Sequence, residues 1–230
     1  MKNKLLFAFA FLGILSFQSC KLDDETADIR ETYFFNQGIT LDPFKTEYSE
    51  GDIFWMEVRI PDKVLQDLET SKDIFVSNAK FNVAINTEVV EFDPLPQSPV
   101  RFDISMQNGT LFKEADFENT ANATLFFGCP DNTYILRAGL QLKEVGNYML
   151  FLNQEQGASL ITFTGDSDCS LQDIFPPPAE ADLGYVQFTF DVEDTNLDVF
   201  NSLVGSETSP LLDSYREALE NKTAFFISVR

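Results

Sequence analysis

The side chains able to do chemistry in this chain are carboxylates, cysteines and one tryptophan, because none of its 230 residues is histidine. Without an imidazole there is no Ser-His-Asp or Cys-His relay, and most zinc sites lose their usual nitrogen ligand. The sequence also lacks a Gly-x-Ser-x-Gly elbow, a phosphate-binding glycine loop and a dinucleotide fingerprint. Two acids facing a cleft would suffice to cut a glycosidic bond. With 37 acidic residues such a pair is available, but no acid sits in a recognisable motif. Calcium takes about six to eight oxygen ligands. Asp166 and Asp168 share one loop, and Asp191, Glu193 and Asp194 cluster at a strand end. These five make calcium the one cofactor the sequence leaves open. Neither stretch has EF-hand spacing, and a solvated acidic loop is the alternative.

Trp55 is the single tryptophan. From Asp52 to Ile60 the residues alternate, so that Phe54, Met56, Val58 and Ile60 share one apolar face. Trp55 then lies on the opposite face with Ile53, Glu57 and Arg59. An indole has a flat apolar body and a polar edge. Beside Glu57 and Arg59 it forms a candidate platform for a sugar ring. The alternative is packing beneath a loop or the C-terminal helices.

The elements that must carry these groups are strands. Period-2 alternation continues through Phe75 to Asn86 and recurs at Val100 to Met106, Ala123 to Phe127 and Tyr134 to Leu142. It returns at Tyr148 to Asn153, Ser159 to Thr164 and Val186 to Val192. Pro61 to Glu69 has room for one helical turn. Asn108-Gly109, Cys129-Pro130-Asp131-Asn132 and Gly165-Asp166 read as turns, and Pro176-Pro177-Pro178 as a stiff connector. Helical spacing follows at Asn196 to Val204 and Pro210 to Glu220, with Ser209 placed to cap, Pro210 at the first helical position, and Leu211, Leu212, Tyr215 and Leu219 on one side. Ala224 to Val229 closes the chain as a strand.

Charge narrows the partners. The net charge of −21 repels phosphate backbones, so nucleic acid is not an expected partner. A content of 13% aromatic residues, 24 of them Phe, argues for a packed core rather than disorder.

The first residues give an address. Lys2 and Lys4 precede the apolar run Leu5 to Phe17, and Phe17-Gln18-Ser19-Cys20 follows. The run is shorter than the roughly 20 residues that span a bilayer and has the form of a secretory signal peptide. Its end resembles the lipobox of bacterial lipoproteins. That resemblance implies cleavage before Cys20 and acylation of this cysteine, hence a membrane anchor. Lys21-Leu22-Asp23-Asp24-Glu25 resembles the acidic export signal of surface lipoproteins of the Bacteroidota. It implies the outer membrane and its cell-surface face, with the periplasmic face as the alternative. Cys129 and Cys169 are then the remaining cysteines, in an oxidising compartment. They are expected to form a disulfide, the alternative being two free thiols. Closing a loop of about 40 residues contributes roughly 4 kcal/mol on the chain-entropy account.

Leu140, Glu144, Gly146, Tyr148 and Leu150 form L-x-x-x-E-x-G-x-Y-x-L. This resembles the tyrosine corner of immunoglobulin-like domains, in which the hydroxyl ties a strand start to the preceding loop. With the many short strands it implies a mainly β fold, an immunoglobulin-like antiparallel β-sandwich with a short α/β C-terminal extension. The expected layout is a signal peptide over 1–19, a lipidated acidic tether with a first short strand over 20–50, and the sandwich over 51–175. An extension of strand, two short helices and strand then packs on it over 176–230. The functional expectation is non-enzymatic binding or accessory work at the cell envelope, with a glycan or an envelope protein as partner. The alternatives are a structural envelope component with protein partners only and a carboxylate-dependent hydrolase.

Overall fold

The computed structural model describes residues 31–79, 81–90, 102–116, 120–153, 159–162 and 183–230. The expected signal segment, Cys20, the acidic stretch after it, Asp166, Asp168, Cys169 and the triproline lie outside these residues.

The chain is mainly β, and its strands form two facing sheets. The strands are β1 (Glu31–Asp42), β2 (Ile53–Ile60), β3 (Val64–Gln66), β4 (Asp73–Phe75), β5 (Asn78–Ala79), β6 (Asn82–Val89) and β7 (Phe102–Asn108). They continue with β8 (Thr110–Asp116), β9 (Thr120–Phe126), β10 (Tyr134–Leu142), β11 (Gly146–Asn153), β12 (Ser159–Thr162), β13 (Leu183–Val192) and β14 (Ala224–Val229). Seven form one sheet in the order β5-β12-β13-β1-β2-β10-β7, and five form the other in the order β14-β11-β6-β9-β8. β3 and β4 make a separate two-stranded ribbon. Between the sheets lies one apolar cluster that includes Phe35, Phe54, Met56, Phe81, Leu136 and Phe225.

The alternation in β2 is realised as read: Phe54, Met56, Val58 and Ile60 are buried, while their neighbours face outward. β14 has all six residues buried because both of its faces are covered. Phe225, Ile227 and Val229 enter the inter-sheet core, and Ala224 and Phe226 meet the helices. Those helices are α1 (Leu197–Val204) and α2 (Pro210–Glu220). The Ser209 side chain accepts the Leu212 amide, and Pro210 opens α2. Phe200, Val204, Tyr215 and Leu219 lie over Met149 and Phe226 on the outer face of the five-stranded sheet. Tyr215 also donates to the Glu88 carboxylate at 2.8 Å. Leu211, expected on the apolar side of α2, is instead 56% exposed.

The tyrosine corner is present. Tyr148 Oη donates toward the carbonyls of Glu144 at 3.1 Å and Val145 at 3.4 Å. Gly146 makes room for it, since a Cβ there would stand 2.8 Å from the hydroxyl oxygen. Burial, helped by the Glu144 carboxylate, pushes the Tyr148 phenol up to about 12. Tyr148→Phe is therefore expected to lower the unfolding free energy by about 1–2 kcal/mol, read as a lower urea midpoint at unchanged slope. An unchanged midpoint would mean that the corner bond adds nothing.

Three expectations change. β1 is not a short strand at the end of a tether: it has 12 residues and sits fourth in the seven-stranded sheet. The C-terminal segment has the expected order of strand, two helices and strand, yet its strands belong to the two sheets rather than to an added layer. β13 pairs with β1 from Glu31↔Gly184 to Ile39↔Val192, and this pairing is parallel. The segment from Pro61 has no α-helical turn; a three-residue 3-10 turn, Pro61–Lys63, leads directly into the β3–β4 ribbon. Asp62 and Lys63 have positive φ there, which breaks the helix.

Candidate ligand-binding face

The described helices pack on the five-stranded sheet, and Trp55 stands on the outer face of the seven-stranded one. Strand register sets its surroundings. Trp55 is opposite Asp42 of β1 and Gly139 of β10, and Glu57 is opposite Thr40 and Arg137. One strand further, Gly139 faces Ser105 and Gln141 faces Asp103 on β7. Since side chains on a strand alternate between faces, all of these groups share the outer surface.

Gly139 has a specific role. A Cβ built on it would meet Trp55 Cη2 and Cζ3 at 3.1 Å and Ser105 Oγ at 2.9 Å. The six-membered ring of the indole therefore lies across bare backbone, against the sheet. The Arg137 guanidinium carbon is 5.4 Å from the indole centroid, within cation–π range.

Glu57 organises the charges around the ring. Its Oε2 accepts from Arg137 Nη1 at 2.7 Å, and its Oε1 lies 3.6 Å from Arg59 Nε. Glu57 and Arg137 are half-buried, while Arg59 is 58% exposed. Lys143 pairs with Asp103, and its ammonium also donates to Gln141 Oε1 at 3.0 Å. On the β13 side the Asn36 amide donates to the Asp191 carboxylate at 2.6 Å and accepts from the Thr189 hydroxyl at 3.2 Å. Around Trp55 the face thus presents an aromatic plane among amides, hydroxyls and fixed ion pairs.

The chain matches no family model. No curated protein matches it either. Partial likeness exists among solved structures. One is the second type II cohesin module from the adaptor ScaA scaffoldin of Acetivibrio cellulolyticus, at 11% identity and a TM-score of 0.28, covering 55% of this chain and 79% of that one. Another is ACE19, the collagen-binding subdomain of the Enterococcus faecalis surface protein ACE, at 11% identity and a TM-score of 0.19, covering 67% and 96%. A third is an uncharacterized protein from Nocardia farcinica with an immunoglobulin-like fold, at 12% identity and a TM-score of 0.22, covering 65% and 98%. Overlap this low transfers no ligand and no partner.

Of the residues singled out from the sequence, Trp55, Glu57 and Arg59 come together on one face. The alternative position for Trp55, beneath the C-terminal helices, is not the one observed, because those helices cover the other sheet. Asp191, Glu193 and Asp194, the described half of the calcium expectation, are not gathered into one group. Asp191 points outward and is taken up by Asn36, whereas Glu193 and Asp194 follow the end of β13. Asp194 Oδ1 accepts the Asn196 amide at 3.2 Å. Glu193 and Asp194 also border a cleft of about 410 Å³ floored by Leu41, Phe44 and Val192. Among the described residues no group of three acids or cysteines is gathered as a metal site. Cys129 packs half-buried against the inter-sheet core.

Arg137, Gly139 and Ser105 escaped the sequence reading. Their signal was present as the outward positions Arg137, Gly139 and Gln141 of β10, but nothing local says that β10 lies beside β2.

Proposed function

We propose that this is a lipid-anchored protein of the cell envelope, displayed on the outer surface of the outer membrane, that binds glycan on the outer face of its seven-stranded sheet and catalyses nothing there. One observation carries the binding part of this reading: Trp55 is laid across Gly139 with Arg137 and Glu57 fixed beside it. Sugar rings offer C–H groups on their faces and hydroxyls at their edges. A flat indole takes the former, and amides, hydroxyls and ion pairs take the latter. An interface for a folded protein would instead be expected to centre on a desolvated apolar cluster. Here the 40%-exposed Ile53 is the one large exposed aliphatic side chain on the described part of β2.

The anchor rests on the basic start, the apolar run and Cys20. Several acyl chains on one cysteine hold a protein stably to a membrane, as a single chain does not. The same export route implies the Cys129–Cys169 bridge.

The test uses the mature chain with Cys20→Ser, followed by the emission of its one tryptophan. Titration with starch, xylan, mannan and polygalacturonate is expected to quench or blue-shift Trp55 with at least one of them. Trp55→Ala is expected to weaken that binding by about tenfold or more in affinity electrophoresis, as loss of a central aromatic anchor does. Binding unchanged by Trp55→Ala, or no binding by any of the four, would sink the reading. Cys20→Ser should also move the protein from the membrane to the soluble fraction; a variant that stays membrane-bound would overturn the anchor.

A further inference from the structure

We infer that the Trp55 face selects uncharged glycans and turns away those that carry carboxylates or sulfates. This rests on the glycan reading above and adds the class of sugar. The reason is how the cations on the face are used. Arg137 and Arg59 both meet the same carboxylate, Glu57, at 2.7 and 3.6 Å. Lys143 is paired with Asp103. No cation on the described part of this face is therefore left without a carboxylate. Acids are in surplus: Asp42, directly opposite Trp55, is exposed, and Asp191 is held by an amide rather than by a cation.

An acidic sugar placed on Trp55 would find its nearest guanidinium already committed to Glu57 and would lie next to Asp42. To gain a counter-charge it would have to displace Glu57, leaving that half-buried carboxylate without its partners. The chain's net charge of −21 adds a long-range repulsion of the same sign. A neutral sugar meets none of these costs. It can donate hydroxyls to Glu57, Asp42 and Gln141 and accept from Arg59, while the ion pairs stay intact.

Glu57 is thus the specificity-determining residue, and Glu57→Gln is the decisive change. It keeps the shape and one acceptor oxygen for Arg137 but releases Arg137 and Arg59 from charge pairing.

The experiment compares xylan and mannan with polygalacturonate and chondroitin sulfate on the mature Cys20→Ser chain, using Trp55 emission and affinity electrophoresis. At low ionic strength the acidic polymers are expected to bind at least about tenfold more weakly than the best neutral one. Raising salt to about 0.5 M should narrow that gap, since exposed charges are then screened. Glu57→Gln should narrow it at low salt by strengthening acidic binding. Asp42→Asn, which frees no arginine, should do so less. Retained far-UV dichroism shows that each variant folds. Preference of the unaltered chain for an acidic polymer, or a gap that neither salt nor Glu57→Gln moves, would overturn this inference and leave the glycan reading standing. Failure of all four polymers to perturb Trp55 would bring down both.

Discussion

Replacing Phe225 with alanine is expected to destabilise the protein by about 3–5 kcal/mol, the cost of a large buried aromatic and the cavity it leaves. Phe225 is fully buried on β14, close to the C terminus. Its ring lies 6.0 Å from that of Phe54 on β2 and 5.7 Å from that of Phe44. One residue thus joins β14 of the five-stranded sheet to β2 of the seven-stranded one. The measurement is urea unfolding followed by far-UV dichroism and by Trp55 emission together. Trp55 sits on the far face of the other sheet, so it reports on β14 only if the sandwich unfolds as a unit. Both probes should shift by the same amount. A dichroism transition that moves while the Trp55 transition stays would mean that the C-terminal segment is a separable addition.

Asp67→Ala is expected to cost about 1.5–3 kcal/mol, the range for hydrogen bonds to a charged acceptor. Asp67 is 2% exposed in the turn that closes the β3–β4 ribbon. Its Oδ2 accepts the Thr70 hydroxyl at 2.6 Å and the Thr70 amide at 2.8 Å, and its Oδ1 reaches across to the Phe34 amide of β1 at 3.0 Å. The Thr70 hydroxyl first, then the Phe34 amide, hold this carboxyl below the ordinary carboxylate range. The sign follows from that direction. The folded state releases the proton more readily than the unfolded chain, whose aspartates titrate near about 3.9. The stabilisation is therefore complete above that pH and is lost as pH falls through the lower folded value. Stability measured between about pH 2 and 6 should fall less steeply at the acid end in Asp67→Ala than in the unaltered chain. Parallel curves would show that Asp67 is not the titrating tie.

Both predictions concern contacts that only tertiary structure reveals, and this marks where the sequence stops being legible. Alternation is a local property. It placed Phe54, Met56, Val58 and Ile60 inside and Trp55, Glu57 and Arg59 outside. The Ser209 cap and the Tyr148 corner were equally legible, because each is a short pattern with one geometric outcome. Partners across sheets are not local. Nothing near β1 signals that it pairs in parallel with β13, so it read as a minor strand. β8 was missed because a register shift between Leu111 and Lys113 breaks its alternation. Nothing in the local sequence around Lys63 marks it as a core residue. It is fully buried, its ammonium donating to the Ser77 carbonyl at 2.9 Å and lying 5.1 Å from the Tyr134 ring centroid. The candidate face divides in the same way: the half on β2 follows from period 2, and the half on β10 and β7 depends on register.

The parallel pairing of β1 with β13 also fixes when the protein can fold. Phe35 and Thr189 touch across 154 positions of sequence. As the chain emerges N-terminus first, β1 is made early and must wait, with one of its two edges unpaired, until β13 arrives. Closing so long a loop costs entropy before any contact repays it, and folds dominated by distant pairs form slowly, on the order of milliseconds to seconds. Stopped-flow refolding should therefore be slow, and chains ending before residue 183 should remain unfolded, their β1 edge open to mispairing.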